Sequence, residues 1–317
     1  MIMRSLGSAY KYAKQGKYNE LLLRGSVFFE EQYGALRYAL KNRVSREKYK
    51  IVKVNGFPMY IYLEDNGISR DLYLYRKREK FAVEFFESFV REDDVIIDIG
   101  ANIGYYVLLE QRLAKRGRVF ACEPSPFNRS MLSMNLALNK VGNVKVFPLA
   151  IGSEDNVERD FFIYDRINWA SFNRKLNAKL VKTIKVKIAT IDRFVEENLE
   201  GLSPSLLRMD VEGHEYDILR GASRVLAQCP RLKIFMEIHP HLLSEDALDG
   251  LLRILESYGF RVEAIINECE PYFYRFLNNK TYAALVDVPY GFIGDSYEKL
   301  RTYLRMNKGS EVFFQRA

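Results

Sequence analysis

The chain has 317 residues, of which 48% are hydrophobic and 28% are charged, and these proportions are ordinary for a soluble globular protein of one large or two small domains. No apolar stretch approaches the ~18 residues of a membrane span, and the start "MIMRSLGSAYKYAKQGK" lacks the order of a secretory signal. The three cysteines, Cys122, Cys229 and Cys269, have no spacing typical of a disulfide framework or a Cys-x-x-Cys metal site. We therefore expect a cytoplasmic protein with reduced thiols.

The net charge of +7 is concentrated near the N-terminus. Residues 1–50 contain eleven Lys or Arg and four Asp or Glu, so the rest of the chain is balanced. Apolar residues in this segment fall loosely at helical spacing, which predicts one or two basic amphipathic helices. Such helices either pack on the main domain, rest peripherally on the inner face of an anionic membrane, or contact a polyanion, and the sequence leaves these alternatives open.

Residues 49–90 have the pattern of a short collar before the core. "YKIVKVNGFPMYIYLE" alternates and predicts a hairpin that turns at Asn55–Gly56. "RKREKFAVEFFESFV" predicts a helix with four phenylalanines on one side. We therefore assign residues 1–92 to a basic helical segment and collar.

From residue 94, short β-branched runs alternate with amphipathic segments. This alternation predicts a parallel sheet with helices on both faces, and we assign it to a domain over residues 93–290, followed by a C-terminal extension over 291–317. Helices are predicted near 104–115, 125–139, 215–227 and 244–258. The predicted core strands are "DVIIDI", "GRVFAC", "VKVFPLA", "SLLRMDV" and "LKIFMEI".

Two segments depart from this alternation. Residues 160–190 predict a hairpin insert, rich in Lys and Arg, that places a second basic element beside the cleft. Its Trp169 either stacks on a sugar ring or a base, or anchors the hairpin. "FRVEAII" and "TYAALVDV" have no helix of adequate length between them, so we expect them to pair antiparallel at the sheet edge.

The loop "DIGANIGYY", residues 98–106, follows the first core strand, where ligands bind in open parallel sheets. It fails the Gly-x-Gly-x-x-Gly dinucleotide pattern, because Asn102 and Tyr105 occupy two of the three glycine positions. A nucleoside without a pyrophosphate makes a smaller demand on this turn. Glu123 ends the next strand, nineteen residues after Gly104, and can accept hydrogen bonds from both ribose hydroxyls. The pattern predicts a nucleoside site.

Five motifs in order, "DVIIDIGANIGYYVLL", "CEPSP", "FPLAIGSED", "LLRMDVEGHEYDILRGA" and "MEIHP", resemble the FkbM family of S-adenosylmethionine-dependent methyltransferases. The resemblance covers about residues 65–270. It implies an α/β, Rossmann-like fold, with a seven-stranded, mostly parallel sheet and an antiparallel last strand. It also implies O-methylation, often of a sugar or polyketide hydroxyl. The residues that we assign to the S-adenosylmethionine site are Asp98, Gly100, Ala101, Asn102, Gly104, Tyr105, Glu123, Pro124, Ala150 and Ile151.

Methyl transfer to a hydroxyl needs a group that removes or orients its proton. Candidate groups cluster in "MDVEGHE" and "MEIHP", at the ends of the fourth and fifth core strands. We predict Asp210 as the first catalytic candidate, Glu212 as a residue holding cofactor or acceptor, and His239 as the alternative base. His214 is predicted to cap the next helix. We assign no metal site, although these carboxylates and histidines, with Glu237, are of the types that bind several divalent ions.

The sequence therefore predicts an O-methyltransferase that acts on a hydroxyl of a glycan, a glycolipid or a related small molecule. Two alternatives remain. An RNA methyltransferase would use the two basic elements against phosphates, although no RNA-binding module is recognisable. A catalytically silent cofactor-binding scaffold would recruit partners through the N-terminal segment.

Overall fold

The computed structural model describes residues 33–34, 36, 38–39, 47–175, 178–266, 296–306 and 309–316. Most of the basic N-terminal segment and the predicted strand at 281–288 lie outside the described residues. The strands, in chain order, are β1 (Tyr49–Val54), β2 (Phe57–Tyr62), β3 (Val95–Ile99), β4 (Arg118–Cys122), β5 (Val144–Phe147), β6 (Ala150–Ile151), β7 (Val157–Tyr164), β8 (Leu180–Ala189), β9 (Leu206–Met209), β10 (Lys233–Ile238), β11 (Phe260–Ile266) and β12 (Ser310–Arg316).

In the described part of the chain, the central sheet has seven strands in the order β11-β12-β10-β9-β3-β4-β5. The strands β10, β9, β3, β4 and β5 pair in parallel, and β12 is antiparallel to both of its neighbours. The α/β class and the mostly parallel seven-stranded sheet are confirmed. The strand order reverses at β3, since β4 lies on one side of it and β9 on the other. The ends of these strands form the crevice where such sheets bind ligands.

The antiparallel strand beside β11 is β12, and it comes from the segment that the sequence assigned to a C-terminal extension. Val312, Phe313 and Phe314 are completely buried, because β12 lies between β10 and β11 with core clusters on both faces. A short apolar run near the end of a chain gives little local signal of such insertion. The last seven described residues therefore complete the sheet.

Helices cover both faces of the sheet, as predicted. One face carries Tyr105–Leu113 and Pro126–Leu138, and the predicted helix at 215–227 consists of two short helices. Among the described residues, no helix is long and apolar enough to cross a bilayer. The helices are Ile68–Tyr75, Lys80–Phe89, Tyr105–Leu113, Pro126–Leu138, Ile191–Asn198, Glu215–Arg220, Ser223–Gln228, Glu245–Ser257 and Tyr297–Met306, with short 3-10 turns at Ile167–Trp169 and Pro240–Leu242.

The collar is fixed to the sheet by polar and aromatic contacts. β1 and β2 form the predicted hairpin, with Val54 opposite Phe57 across the turn. Asn135, buried in a core helix, accepts a hydrogen bond from the amide of Tyr60 and donates one to the carbonyl of Ile103. The collar hairpin is thus joined directly to the loop that follows β3.

The predicted insert hairpin is confirmed as β7 paired antiparallel with β8, and β6 adds in parallel to make a three-stranded sheet. The turn at Ile167–Trp169 joins this insert to the collar. The buried carboxylate of Asp65 accepts hydrogen bonds from the amides of Gly67, Ser69 and Ile167. Collar and insert therefore meet at one buried carboxylate.

Candidate functional site

A cavity of about 750 Å³ lies at the carboxyl ends of β3, β9 and β10, within the range of ligand pockets. We call it the larger cavity. Strand ends contribute Gly100, Asp210 and His239, the collar contributes Arg78, and the insert contributes Lys175. Three separate regions of the chain therefore enclose one polar space.

A second cavity, here the smaller cavity, adjoins it between the strand ends and the insert. Its volume is about 50 Å³. Gly100, Asn102, Asn168, Asp210 and Glu212 line both cavities. Residues that line only the smaller one include Cys122, Glu123, Pro124, Ala150, Ile151, Phe161 and Phe172.

The loop after β3 brings its backbone into the crevice. Gly100 has a φ of 85°, and a Cβ atom at this position would lie 2.2 Å from the carbonyl oxygen of Asp210. Its amide donates to the carbonyl of Cys122 at 2.9 Å. Any side chain at Gly100 would separate β3 from the segment after β9, so the glycine requirement is steric as well as conformational.

Glu123, buried at the end of β4, binds this loop through its side chain. One carboxylate oxygen accepts the amide of Asn102 and the other accepts the amide of Ser125, both at 2.8 Å. Burial raises the pKa of Glu123 to about 7, although these two amides act to lower it. An ionised carboxylate has about four acceptor positions, so Glu123 retains capacity for two hydroxyl donors.

Below the crevice, Arg208 joins two of the predicted site residues. Its guanidinium lies 3.2 Å from a carboxylate oxygen of Asp98 and 3.2 Å from one of Asp210. Asp98 is completely buried, and burial raises its pKa despite the attraction of Arg208. The guanidinium also lies over the ring of Tyr106, 4.3 Å from its centroid. Arg208 therefore fixes the carboxylate of Asp210 from behind.

His239 follows β10 and is surrounded by acidic side chains. Its Nδ1 lies 3.1 Å from Glu215, and its Nε2 lies 3.2 Å from Glu237 and 3.9 Å from Glu212. Burial alone lowers the pKa of His239, but Glu237 and Glu215 outweigh it and raise that pKa well above its usual value. These two carboxylates therefore favour the protonated form of the imidazole in the free protein.

Glu212 and the insert form a further part of the wall of the larger cavity. Glu212 has a φ of 54° and its carboxylate pairs with the ammonium of Lys175 at 2.7 Å. The side-chain amide of Asn173 donates to the carbonyl of Glu212. The guanidinium of Arg166 lies 4.2 Å from the centroid of the Trp169 ring. The wall therefore combines charged groups with one aromatic surface.

The structure brings most of the predicted site residues to one edge of the sheet. Gly100, Asn102, Asp210 and Glu212 line both cavities, and His239 lines the larger one. Ala101 and Tyr105 line the larger cavity, and Glu123, Pro124, Ala150 and Ile151 line the smaller. Asp98 and Gly104 line neither.

These two residues support the loop from below. Asp98 pairs with Arg208, and a Cβ on Gly104 would lie 2.7 Å from the side chain of Leu132. His214 occupies the N-cap position of the helix Glu215–Arg220, but its side chain makes no capping hydrogen bond and instead lies 3.2 Å from Asp217.

Sequence reasoning missed Arg208 and Glu215, and it identified Lys175 only as one of the basic residues of the insert beside the cleft. The first carried a signal, since Arg208 and Asp98 are opposite charges inside two apolar runs, "LLRMD" and "VIIDI". Buried charges are rare unless paired, so two opposite charges on neighbouring parallel strands predict an ion pair between them. Lys175 and Glu215 gave no such signal, because charged residues in a loop or at a helix start are ordinary.

The model of the methyltransferase FkbM domain family matches residues 98–262, just over half of the chain. The match begins at the carboxylate that pairs with Arg208 and ends within β11, so it contains the strand ends and the insert.

Three curated relatives are similar to parts of the chain. "Methyltransferase 1" of Beauveria bassiana is 28% identical over 41% of this chain and 59% of its own length. "Hexuronic acid methyltransferase AglP" of Haloferax volcanii is 30% identical over 47% of this chain and 57% of its own. The chain thus spans less than three fifths of these two relatives. "31-O-demethyl-FK506 methyltransferase FkbM" of Streptomyces tacrolimicus is 26% identical, covering 55% of this chain and 75% of the relative.

Solved structures give distant matches. A precorrin-6y C5,15-methyltransferase from Geobacter metallireducens is 16% identical with a TM-score of 0.41, covering 76% of this chain and 89% of that one. M. jannaschii TYW2 in complex with AdoMet is 13% identical with a TM-score of 0.39, covering 86% of this chain and 89% of that one.

Proposed function

The chain belongs to the FkbM family of S-adenosylmethionine-dependent methyltransferases, and we propose that it methylates a hydroxyl oxygen of a glycan, a glycolipid or a related small molecule. The Haloferax relative is named for a hexuronic acid and the Streptomyces relative for a 31-O-demethyl compound. Both names support a hydroxyl-bearing acceptor for this chain.

One observation carries the proposal: Asp210 and Glu212 line both of the adjoining cavities. On the side of the smaller cavity lies the buried Glu123, whose carboxylate can accept hydrogen bonds from ribose hydroxyls. On the other lies a polar space that is open to an acceptor. Groups that face both reactants at once can hold them in line, which is a large part of catalysis in a displacement reaction.

The residues present fit the cofactor on the side of the smaller cavity. We propose that Glu123 accepts the ribose hydroxyls, that the Gly100 loop approaches the cofactor through its backbone, and that Ala150 and Ile151 contact the base. When bound, S-adenosylmethionine supplies a methyl group on a positively charged sulfur that becomes a neutral thioether after transfer.

On the acceptor side, we propose that Asp210 accepts a hydrogen bond from the reacting hydroxyl, since Arg208 already fixes its carboxylate. Glu212, paired with Lys175, lines the same wall and binds a second polar group of the acceptor. An acceptor with several hydroxyls suits these alternating donors and acceptors better than an apolar one.

The experiment that tests this function uses labelled S-adenosylmethionine with fractionated glycans, lipids and RNA from the source organism. Label in the glycan or glycolipid fraction, removed by Asp210→Asn, supports the proposal. Label confined to RNA establishes an RNA methyltransferase instead. Failure of every fraction to gain label, with cofactor binding intact, supports the silent scaffold.

We also propose peripheral contact with an anionic membrane surface through the basic segment of residues 1–50, to which the insert adds a second surface. The exposed part of β8 places Leu180 and Val181, 39% and 62% exposed, beside the exposed Lys182, a combination that suits an interface with acidic lipids. Co-sedimentation with vesicles containing phosphatidylserine tests it. Equal sedimentation with neutral vesicles, or none with either, contradicts it.

A further inference from the structure

Three side chains at the ends of β9 and β10 point their ligand atoms at one another. Asp210, Glu237 and His239 each offer one oxygen or nitrogen, and these atoms all lie within 4.8 Å of one another. All three residues line the larger cavity. Two carboxylates and an imidazole at this separation are a donor set that divalent first-row ions accept.

A second observation is that two of these groups are held in place from behind. The carboxylate of Asp210 is fixed by Arg208, and Nδ1 of His239 lies 3.1 Å from the completely buried carboxylate of Glu215. A histidine that ligates a metal usually donates its other ring N–H to a carboxylate in this way. The contact leaves Nε2 directed at Glu237 and towards Glu212.

The charge around this imidazole also favours a cation. Glu212, Glu215 and Glu237 all lie within 4 Å of the His239 ring nitrogens, and Asp210 joins the cluster. Lys175 forms an ion pair with Glu212, while Arg208 is shared between Asp210 and Asp98. The acidic groups therefore outnumber the basic groups that face them, and a divalent ion relieves that excess.

We propose that Asp210, Glu237 and His239 bind one divalent cation of the Mn²⁺ type at the border of the larger cavity. Asp210 contributes a carboxylate oxygen, Glu237 a second one, and His239 its Nε2, which releases any proton it carries when the ion binds. Glu215 is a positioning residue, because it contacts the His239 ring and not the ion.

The use of this ion in the reaction rests on the proposed function, whereas its binding does not. A cation beside Asp210 lowers the pKa of an acceptor hydroxyl that contacts it. The proton leaves to solvent, the oxygen lone pair forms the new bond to the methyl carbon, and the bonding pair of the broken carbon–sulfur bond stays on sulfur. The cation keeps its oxidation state throughout.

The test is a titration of Mn²⁺ into the full-length, metal-stripped protein, followed by the electron paramagnetic resonance signal of free Mn²⁺, without cofactor or acceptor. We expect one ion bound per chain. The dissociation constant should rise roughly tenfold or more in Glu237→Gln and in Asp210→Asn, and by about tenfold in Glu215→Gln. Glu263→Gln, which changes an exposed carboxylate on β11, is the matched control and should leave binding unchanged.

The possible outcomes are distinguishable. If the wild-type protein leaves the free Mn²⁺ signal undiminished, or if Glu237→Gln and Asp210→Asn bind as the wild type does, the metal site is disproved. Circular dichroism and S-adenosylmethionine binding identify any variant that fails to fold, and the wild-type titration stands without the variants. If Mn²⁺ binds but no acceptor fraction gains label, the proposed function fails while the metal site remains.

Discussion

The two cavities that meet at Asp210 are built by different means. The smaller cavity is formed by backbone and close packing: a glycine with no room for a side chain, a carboxylate that binds two loop amides, and apolar residues of β6 and the insert. The larger cavity is formed by charged side chains from three regions. Substitutions in a site of the first kind disturb the packing of the fold, so few are tolerated. Substitutions in a site of the second kind can change which ligand binds while the fold stays the same.

Arg208 links the two sides, and its removal should have the largest effect. Arg208→Met leaves the buried carboxylate of Asp98 without its cation, so we expect the free energy of unfolding to fall by about 3–5 kcal/mol. Denaturation in urea measures it. The control is Arg112→Met, which breaks an exposed ion pair with Glu87 and should cost about 0–1 kcal/mol. Equal losses in the two variants would show that the buried link adds nothing.

Gly100→Ala tests the backbone character of the smaller cavity. The new Cβ would meet the carbonyl of Asp210 at 2.2 Å, and we expect a loss of roughly 2–4 kcal/mol in unfolding free energy together with loss of cofactor binding. Gly56→Ala is matched, because Gly56 also has a positive φ but has no atom within 4 Å of its Cβ position. It should lose about 1 kcal/mol. A Gly100 variant no worse than this control would contradict the packing argument.

Ionisation of the Glu123 carboxyl group should make cofactor binding depend on pH. Its pKa of about 7 in the free protein means that the carboxyl is mostly protonated at pH 6 and mostly ionised at pH 8. Because the ionised form binds hydroxyl donors more strongly, the dissociation constant of S-adenosylmethionine should fall roughly tenfold between these pH values. Calorimetry at both pH values measures it.

The control for this titration is Glu123→Gln, which cannot ionise. It should bind the cofactor roughly tenfold to a hundredfold more weakly at pH 8, and its remaining pH dependence reports titrating groups other than Glu123. If wild type and variant change equally with pH, Glu123 does not hold the ribose.

Lys175 should have the smallest effect, confined to the acceptor. Lys175→Met removes the ion pair with Glu212, and we expect the KM for the acceptor to rise about threefold to tenfold while cofactor affinity is unchanged, since partly buried pairs contribute on the order of 1 kcal/mol. Lys185→Met, on the exposed face of the same hairpin, is the control and should change neither value. A weaker cofactor affinity in Lys175→Met would mean that the two sides are not separate.

The same contrast explains how far the sequence predicted the molecule. Strand runs, glycines and strand-end carboxylates follow local rules, so the sheet, the insert hairpin and the Gly100 loop with Glu123 were predictable. The position of β12 was not, because pairing with β10 and β11 depends on contacts more than forty residues away. The acidic surroundings of His239 also escaped prediction, since Glu215 and Glu237 reach it from different elements.

We propose that Asp210 serves the reaction rather than the binding of S-adenosylmethionine, although it lines both cavities. The most direct test is the methyl-transfer rate of Asp210→Asn at saturating cofactor, with its dissociation constant for S-adenosylmethionine measured in parallel. We predict a rate lower by roughly a hundredfold or more, with a dissociation constant within about twofold of the wild type. An unchanged rate, or a loss of cofactor affinity as large as the loss of rate, would contradict this account.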